Sequence, residues 1–253
     1  MMHRYDGGKT QKRNDHMIDT YIALDLETTG LSPSMDRILE IGAVKVVNGQ
    51  ILETYETLVN PERKIEKRIE ELTGITDEMA SEGIDTRKAV TELVEFCGDL
   101  PLLGHNILFD YSFVKQNAMN LNLTFDKEGI DTLKIARTLF PGMEHRSLQA
   151  LCSYYHIQPE KTHRAAHDAL AAMELYGRMQ EQFLNSPEEL FLPKPLVYRA
   201  KKQGPITPAQ KGYLNDLIKY HKITLDKSVD GLTKNEASRI IDRIILEYGR
   251  IQR

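Results

Sequence analysis

The chain has 253 residues, 41% of them hydrophobic, and a formal net charge of −4, enough for one sizeable buried core plus a small appendage. No window approaches the roughly 18 consecutive apolar residues of a membrane span and no apolar signal-peptide core opens the sequence, so membrane functions are set aside and the cytoplasm is the expected location. The two cysteines, Cys97 and Cys152, have neither a zinc-ligand spacing nor the pattern of a disulfide framework and are read as core residues.

In chain order, residues 1–17 are polar and aperiodic and precede an internal Met17, which predicts a disordered leader outside the fold. Tyr21 to Asp25 reads as a strand. Ile38 to Val47 and Gln50 to Val59 read as two more, joined by Asn48-Gly49, a strong type I′ hairpin signal. Helical patterns follow at Ile65 to Leu72 and Arg87 to Cys97, then a short strand at Leu100 to Gly104 and a helix from Asn106 to Met119. A strand near Gly129 to Asp131, a helix after it, a helix at Ser147 to Tyr155 and a long helix from Ala165 to Phe183 complete a main domain over 18–185. The predicted class is α/β: a mixed β-sheet flanked by helices.

Four prolines between Ser186 and Pro205 predict an extended linker over 186–205. Beyond it, Thr207-Pro208-Ala209-Gln210 and Thr233-Lys234-Asn235-Glu236 read as capping boxes opening two helices, so 206–253 is expected to be a small helical module. From Arg199 onward there are 12 Lys+Arg against 6 Asp+Glu, a tail of +6 on a body of −10. An acidic body suits cations and a basic tail suits phosphates, although a solvated basic surface explains the tail equally well.

Asp25 and Glu27 stand two apart at the end of the first strand and so share a face. Two adjacent carboxylates raise each other's pKa unless a cation lies between them, and magnesium or manganese favours such oxygen ligands. Asp110, one turn into its helix, shares the inward face of Phe113 and Val114, where an unpaired carboxylate costs several kcal/mol. Taken in isolation, it also fits an acid near a helix N-terminus that stabilises the dipole. Asp168 heads the apolar stripe of Ala172, Leu175, Met179 and Phe183, and the alanines around it let that helix approach a sheet closely. His163 lies five residues earlier, roughly 140° around a continuous helix, so it belongs to the preceding loop. There it is placed to take a proton from water, with His167 as a second candidate.

Together, Asp25-x-Glu27-Thr-Thr-Gly, Gly104-His-Asn-x-x-Phe-Asp110 and His163-x-Ala165-x-x-Asp168-Ala169 resemble the three motifs of the DEDDh exonucleases. That family includes the proofreading epsilon subunits of bacterial replicases and ribonuclease T. Further agreement lies in Ile38-Leu39-Glu40-Ile41-Gly42, Thr73-Gly74-Ile75-Thr76, Asp131-Thr132-Leu133 and Ser147-Leu148-x-x-Leu151-Cys152. Arg164 stands where the tyrosine-type relatives carry Tyr, which favours the histidine branch.

The resemblance implies an RNase H-like fold and a 3′-to-5′ exonuclease that releases nucleoside 5′-monophosphates with two divalent ions, Mg2+ or Mn2+. Asp25, Glu27 and Asp168 would hold one ion, Asp25 and Asp110 would support the second, and His163 would activate the water. Leu26, Thr28, Thr29 and Leu31 would grip the terminal nucleotide, with His105, Asn106 and Phe109 close to the strand. The expected partner is a single-stranded 3′ end, DNA rather than RNA, with a polymerase or another replication or repair protein beside it. The alternatives are a 3′-to-5′ exoribonuclease and a non-catalytic nucleic-acid-binding protein on a nuclease fold.

Overall fold

A computed structural model describes residues 18–158, 163–184, 186–225 and 228–251. The expected leader over 1–17 lies outside these residues. Three strands open the fold: β1 (Tyr21–Thr28), β2 (Ile38–Val47) and β3 (Gln50–Asn60), paired antiparallel in that order. The β2–β3 hairpin turns through Asn48 and Gly49 at φ of 53° and 74°, the left-handed pair that an Asn-Gly type I′ turn requires. Two short helices follow, α1 (Lys67–Thr73) and α2 (Asp77–Ser81), then β4 (Ile84–Asp85) and α3 (Thr86–Cys97). Next come β5 (Leu102–Gly104), α4 (Leu108–Asn120), β6 (Glu128–Asp131) and α5 (Thr132–Leu139). The helices α6 (Leu148–Tyr155) and α7 (Ala165–Gln182) complete this part.

The strands form one mixed sheet of order β4-β3-β2-β1-β5-β6-β7, where β7 is Lys194–Pro195. β1 lies near the middle and is buried on both faces. Its even positions, Ile22, Leu24 and Leu26, pack with α3 and α4 residues such as Leu93, Tyr111 and Phe113. Its odd positions, Tyr21 and Ala23, pack with α7 through Ala169, Ala172 and Leu175. The two-residue period therefore carries Asp25 and Glu27 onto the α7 face. Cys97 and Cys152 are buried free thiols, one in each core layer.

One glycine sets the distance between α7 and the sheet. Gly42 pairs with Asp25 across the β1–β2 ladder, and a Cβ built on it would lie 2.1 Å from the Ala166 nitrogen and 2.2 Å from the Ala165 carbonyl carbon. Backbone that close leaves no room for any side chain, so the first turn of α7 rests directly on β2 beside Asp25.

The segment after α7 differs from a free linker. Phe191 is buried in the α7-side core and its carbonyl accepts from the Tyr176 hydroxyl at 3.0 Å. Lys194 and Pro195 then pair with β6, and the Leu196 amide donates to the Lys127 carbonyl at 2.9 Å. Proline fits there because β7 is an edge strand, where a missing N–H breaks no interior ladder. The extended backbone predicted from proline is present, but it is used in sheet pairing.

Past it, α8 (Pro208–His221) and α9 (Lys234–Tyr248) form the expected helical pair, each opened by a complete capping box. Leu214, Leu217, Leu232, Ala237, Ile241 and Ile244 make a separate small core between them. Among the described residues no helix is long and apolar enough to cross a membrane.

Gly42→Ala is expected to destabilise the protein by about 3 kcal/mol, since the clash is with backbone that cannot rotate away. Gly177→Ala, a helical glycine with nothing within 4 Å of its added Cβ, should instead stabilise by about 0.5–1 kcal/mol. Urea unfolding of both variants checks the pair.

Candidate active site

Glu27 and Asp25 leave the end of β1 beside Gly42, and α7 brings Asp168 to them from above. Asp110 arrives from the first turn of α4, almost fully buried, and its Oδ1 accepts the Leu26 amide at 3.0 Å. That bond ties the α4 acid to the strand residue between the other two. Asn106, predicted as the first residue of this helix, lies before it: it is exposed at φ of 69°, and Ile107 holds the capping position without a side-chain bond. Its amide donates to Asp131 Oδ1 at 3.1 Å, so the turn before α4 is fixed from β6 instead.

His163 stands immediately before α7, outside the helix as the spacing required, with φ of 59°. Its amide donates to Asp168 Oδ2 at 3.1 Å. Glu27, His163 and Asp168 present ligand atoms that all lie within 4.8 Å of one another. The His163 Nε2 lies 2.9 Å from the Gln149 amide nitrogen, which pairs them only if Nε2 keeps its lone pair.

Electrostatically the pocket is strained. Burial, then the charges of Asp110, Asp168, Glu27 and Glu40, holds the Asp25 carboxyl well above the usual carboxylate range. Burial and the same kind of crowding push Glu27 up to about 7. Asp110 and Asp168 are also raised, chiefly by burial, although the Leu26 and His163 amides pull them part of the way back. The guanidinium beside them, Arg164, is already committed to Glu40. Carboxylate oxygens at such density are the donor set of a hard divalent cation, whose charge would restore their ionised forms.

Two residues outside the predicted set, Glu40 and Arg164, hold the pocket in place. Glu40 is completely buried on β2 and accepts from Arg164 Nε at 2.9 Å and from the Ala165 amide at 3.0 Å. It thereby caps the start of α7 from the sheet and fixes both His163 and Asp168 on either side of the cap. The sequence pattern around Glu40 marks it as part of the family motif but carries no sign of this role, which depends on a contact between residues 124 apart in the chain.

The predicted substrate residues fare unevenly. Leu31, in the loop after β1, is 83% exposed, an apolar side chain facing solvent. Thr28 Oγ1 donates to the Gly30 carbonyl and Thr29 Oγ1 accepts the Arg37 amide, so both hydroxyls shape the loop. Leu26 is buried in the core, its amide engaged by Asp110. His105 has both ring nitrogens engaged, by Thr132 Oγ1 and the Arg146 carbonyl, each at 2.9 Å, and burial holds its pKa below the usual value. Phe109 leans on Phe113 at 5.0 Å between centroids, at the edge of the core.

The mixed sheet flanked by helices, with a cluster of buried acids at the end of its central strand, is an RNase H-like α/β fold. The chain belongs to the exonuclease family RNase_T, whose profile matches residues 22–176. It is 37% identical over 162 residues to the PolC-type DNA polymerase III of Caldanaerobacter subterraneus subsp. tengcongensis, covering 64% of this chain and 12% of the polymerase. The Bacillus subtilis PolC-type enzyme is 38% identical over 164 residues, 64% of this chain and 11% of that one. The chain thus spans only about an eighth of these relatives. Among solved structures it resembles Escherichia coli Exonuclease I in complex with a dA16 oligonucleotide, with TM-score 0.59, 18% identity and coverage of 66% and 42% of the two chains. It also resembles Exonuclease X in complex with 5′ overhanging duplex DNA, with TM-score 0.51, 25% identity and coverage of 68% and 96%.

The raised carboxyls carry a pH signature. A group moved from 4.5 to about 7 on folding favours the protonated native state, so its contribution is present at low pH and lost as pH rises through that window. For Glu27 alone this is on the order of 3 kcal/mol. Ion-free protein should therefore lose thermal stability between about pH 5 and pH 8, and Mn2+ should raise Tm more at pH 8 than at pH 5. Equal Mn2+ shifts at both values would argue against ion binding by these carboxylates.

Proposed function

We propose that this chain hydrolyses the terminal phosphodiester bond at the 3′ end of a nucleic-acid strand, DNA in preference to RNA, and releases nucleoside 5′-monophosphates. The observation that carries the reading is the meeting of Asp25, Glu27, Asp110 and Asp168 in one pocket with His163 beside them. Divalent magnesium or manganese ions held by the four acids would supply the positive charge that stabilises the attacking and leaving oxygens of an in-line displacement at phosphorus.

The protein's own residues do the rest. The Leu26 amide orients Asp110 and offsets part of the burial that favours its protonated form, and the His163 amide does the same for Asp168. The lone pair of His163 Nε2, shared with Gln149 in the resting site, takes the proton of the attacking water once the ring turns inward. The new bond joins the water oxygen to phosphorus, the bond from phosphorus to the 3′ oxygen breaks, and that oxygen regains a proton from solvent. Leu31 offers an apolar face to the last base, and the loop fixed by Thr28 and Thr29 holds it there.

Preference for DNA, and a role in replication or repair in the cytoplasm alongside a polymerase, rest on the PolC-type polymerases among the relatives. Further support comes from the DNA bound in the Exonuclease X and Exonuclease I structures.

Single-stranded DNA and RNA labelled at either end, incubated with Mg2+ or Mn2+, test the reading. The 3′ label should leave as a mononucleotide from the first turnover, the 5′ label should give a shrinking ladder, and Asp25→Ala should abolish both. Internal fragments, or activity surviving that substitution, would overturn it; faster loss of RNA than DNA would move the substrate to RNA. His163→Ala should keep Mn2+ and strand binding and lose on the order of 10²-fold in rate, as expected of a general base. A loss of Mn2+ affinity instead would make His163 a ligand.

A further inference from the structure

Between α9 and the segment joining β3 to α1 runs a groove of about 400 Å³, whose walls include Met35, Arg63, Ile65, Leu232, Ile240 and Arg243. It begins where the active-site loop ends. Met35 belongs to the same loop as Leu31, and the carboxylate of the next residue, Asp36, accepts the Ser32 amide at 2.8 Å and fills the space beside Gly30. The α9 side of the groove is docked onto that loop: Arg37 pairs with Glu236, the residue that also closes the α9 capping box, and Gln203 donates to the Ser34 carbonyl.

Cations dominate the α9 wall. Asp36 lies 3.9 Å from both Arg63 and Arg239, and Glu236 lies 3.5 Å from Arg63, so two acids are shared among Arg37, Arg63 and Arg239. Burial, and after it the neighbouring Arg37, holds Arg63 below its usual pKa, while Glu236 and Asp36 pull it part of the way back. Arg243 follows Arg239 by one turn of α9, on the same face, and has no ion-pair or hydrogen-bond partner among the described residues. Glu62 and Glu66 lie on the opposite wall, and the floor between is apolar, formed by Met35, Ile65, Leu232 and Ile240. Guanidinium groups along one wall of an apolar trough suit a polymer with a phosphate backbone on one side and bases on the other.

We infer that this groove is a second nucleic-acid subsite, which takes the single strand several nucleotides upstream of the end held at the acid pocket, with Arg239 and Arg243 on its phosphates. The inference rests on the proposed exonuclease reading. The basic helical module then lengthens the track along which the strand is held.

Binding measurements on the full chain in Ca2+, with oligothymidylates of about 12 and about 3 nucleotides, use lengths on either side of what the acid pocket alone could hold. Arg243→Glu should weaken the longer strand about tenfold, reduce its log-affinity against log-salt slope by about 1, and weaken the shorter strand far less. Lys219→Glu, the same charge change at an exposed position of α8 outside the groove, should leave the longer strand bound nearly as in the wild type. Equal losses for both strand lengths, equal losses for both variants, or no loss with Arg243→Glu would overturn the inference, the last pointing to a protein partner in the groove. Hydrolysis of the p-nitrophenyl ester of thymidine 5′-monophosphate by the wild type, which needs only the acid pocket, reports on the exonuclease reading separately. If that ester is cleaved and the strand arms fail, the groove alone is wrong.

Discussion

Mutual repulsion among Asp25, Glu27, Asp110 and Asp168 is the constraint around which this molecule is organised. Burial and proximity raise all four carboxyls, so the bare pocket favours protons where the chemistry needs charge. Each neighbouring feature limits that cost or holds the acids together against it. The Leu26 amide partly offsets the penalty on Asp110, and the His163 amide partly offsets that on Asp168. Gly42 lets the first turn of α7 rest on β2, and Glu40, neutralised by Arg164, clamps that turn to the sheet. Without the close contact Asp168 would stand away from Asp25 and the acids would no longer meet.

Much of this was legible in the sequence because it follows from local periodicity. The two-residue period of β1 placed Asp25 and Glu27 on one face, and the helical stripe of α7 placed Asp168 inward with His163 outside the helix. The Asn-Gly hairpin and both capping boxes were equally local and formed as written. What the sequence did not disclose depends on contacts between distant segments. Glu40 gains its role only when α7 lands on it, and the His105 ring nitrogens find their partners in Thr132 and the Arg146 carbonyl, 27 and 41 residues further on. The prolines of residues 193 and 195 correctly signalled extended backbone, yet whether such backbone is a tether or an edge strand is decided by whether β6 has a free edge.

The family match ends at residue 176, whereas β7 and the helical pair lie beyond it. These additions are attached at two functionally different places. Phe191 and Leu196 close the two core layers at the far edge of the sheet, a contribution to stability. The α9 helix instead grips the loop after β1 through Glu236 and Arg239, within a few residues of Leu31, so the module touches the loop proposed to meet substrate. Glu236, which caps α9 and pairs with Arg37, couples the start of that helix to its attachment, with Arg239–Asp36 and Gln203–Ser34 as further contacts.

If the four acids form a site for divalent ions, anomalous diffraction from crystals soaked in Mn2+ should show manganese peaks in contact with Asp25, Glu27, Asp110 and Asp168, and crystals of Asp25→Asn should lose them. Peaks confined to other surfaces, or a pocket that stays without metal at saturating Mn2+ above pH 7, would contradict that site.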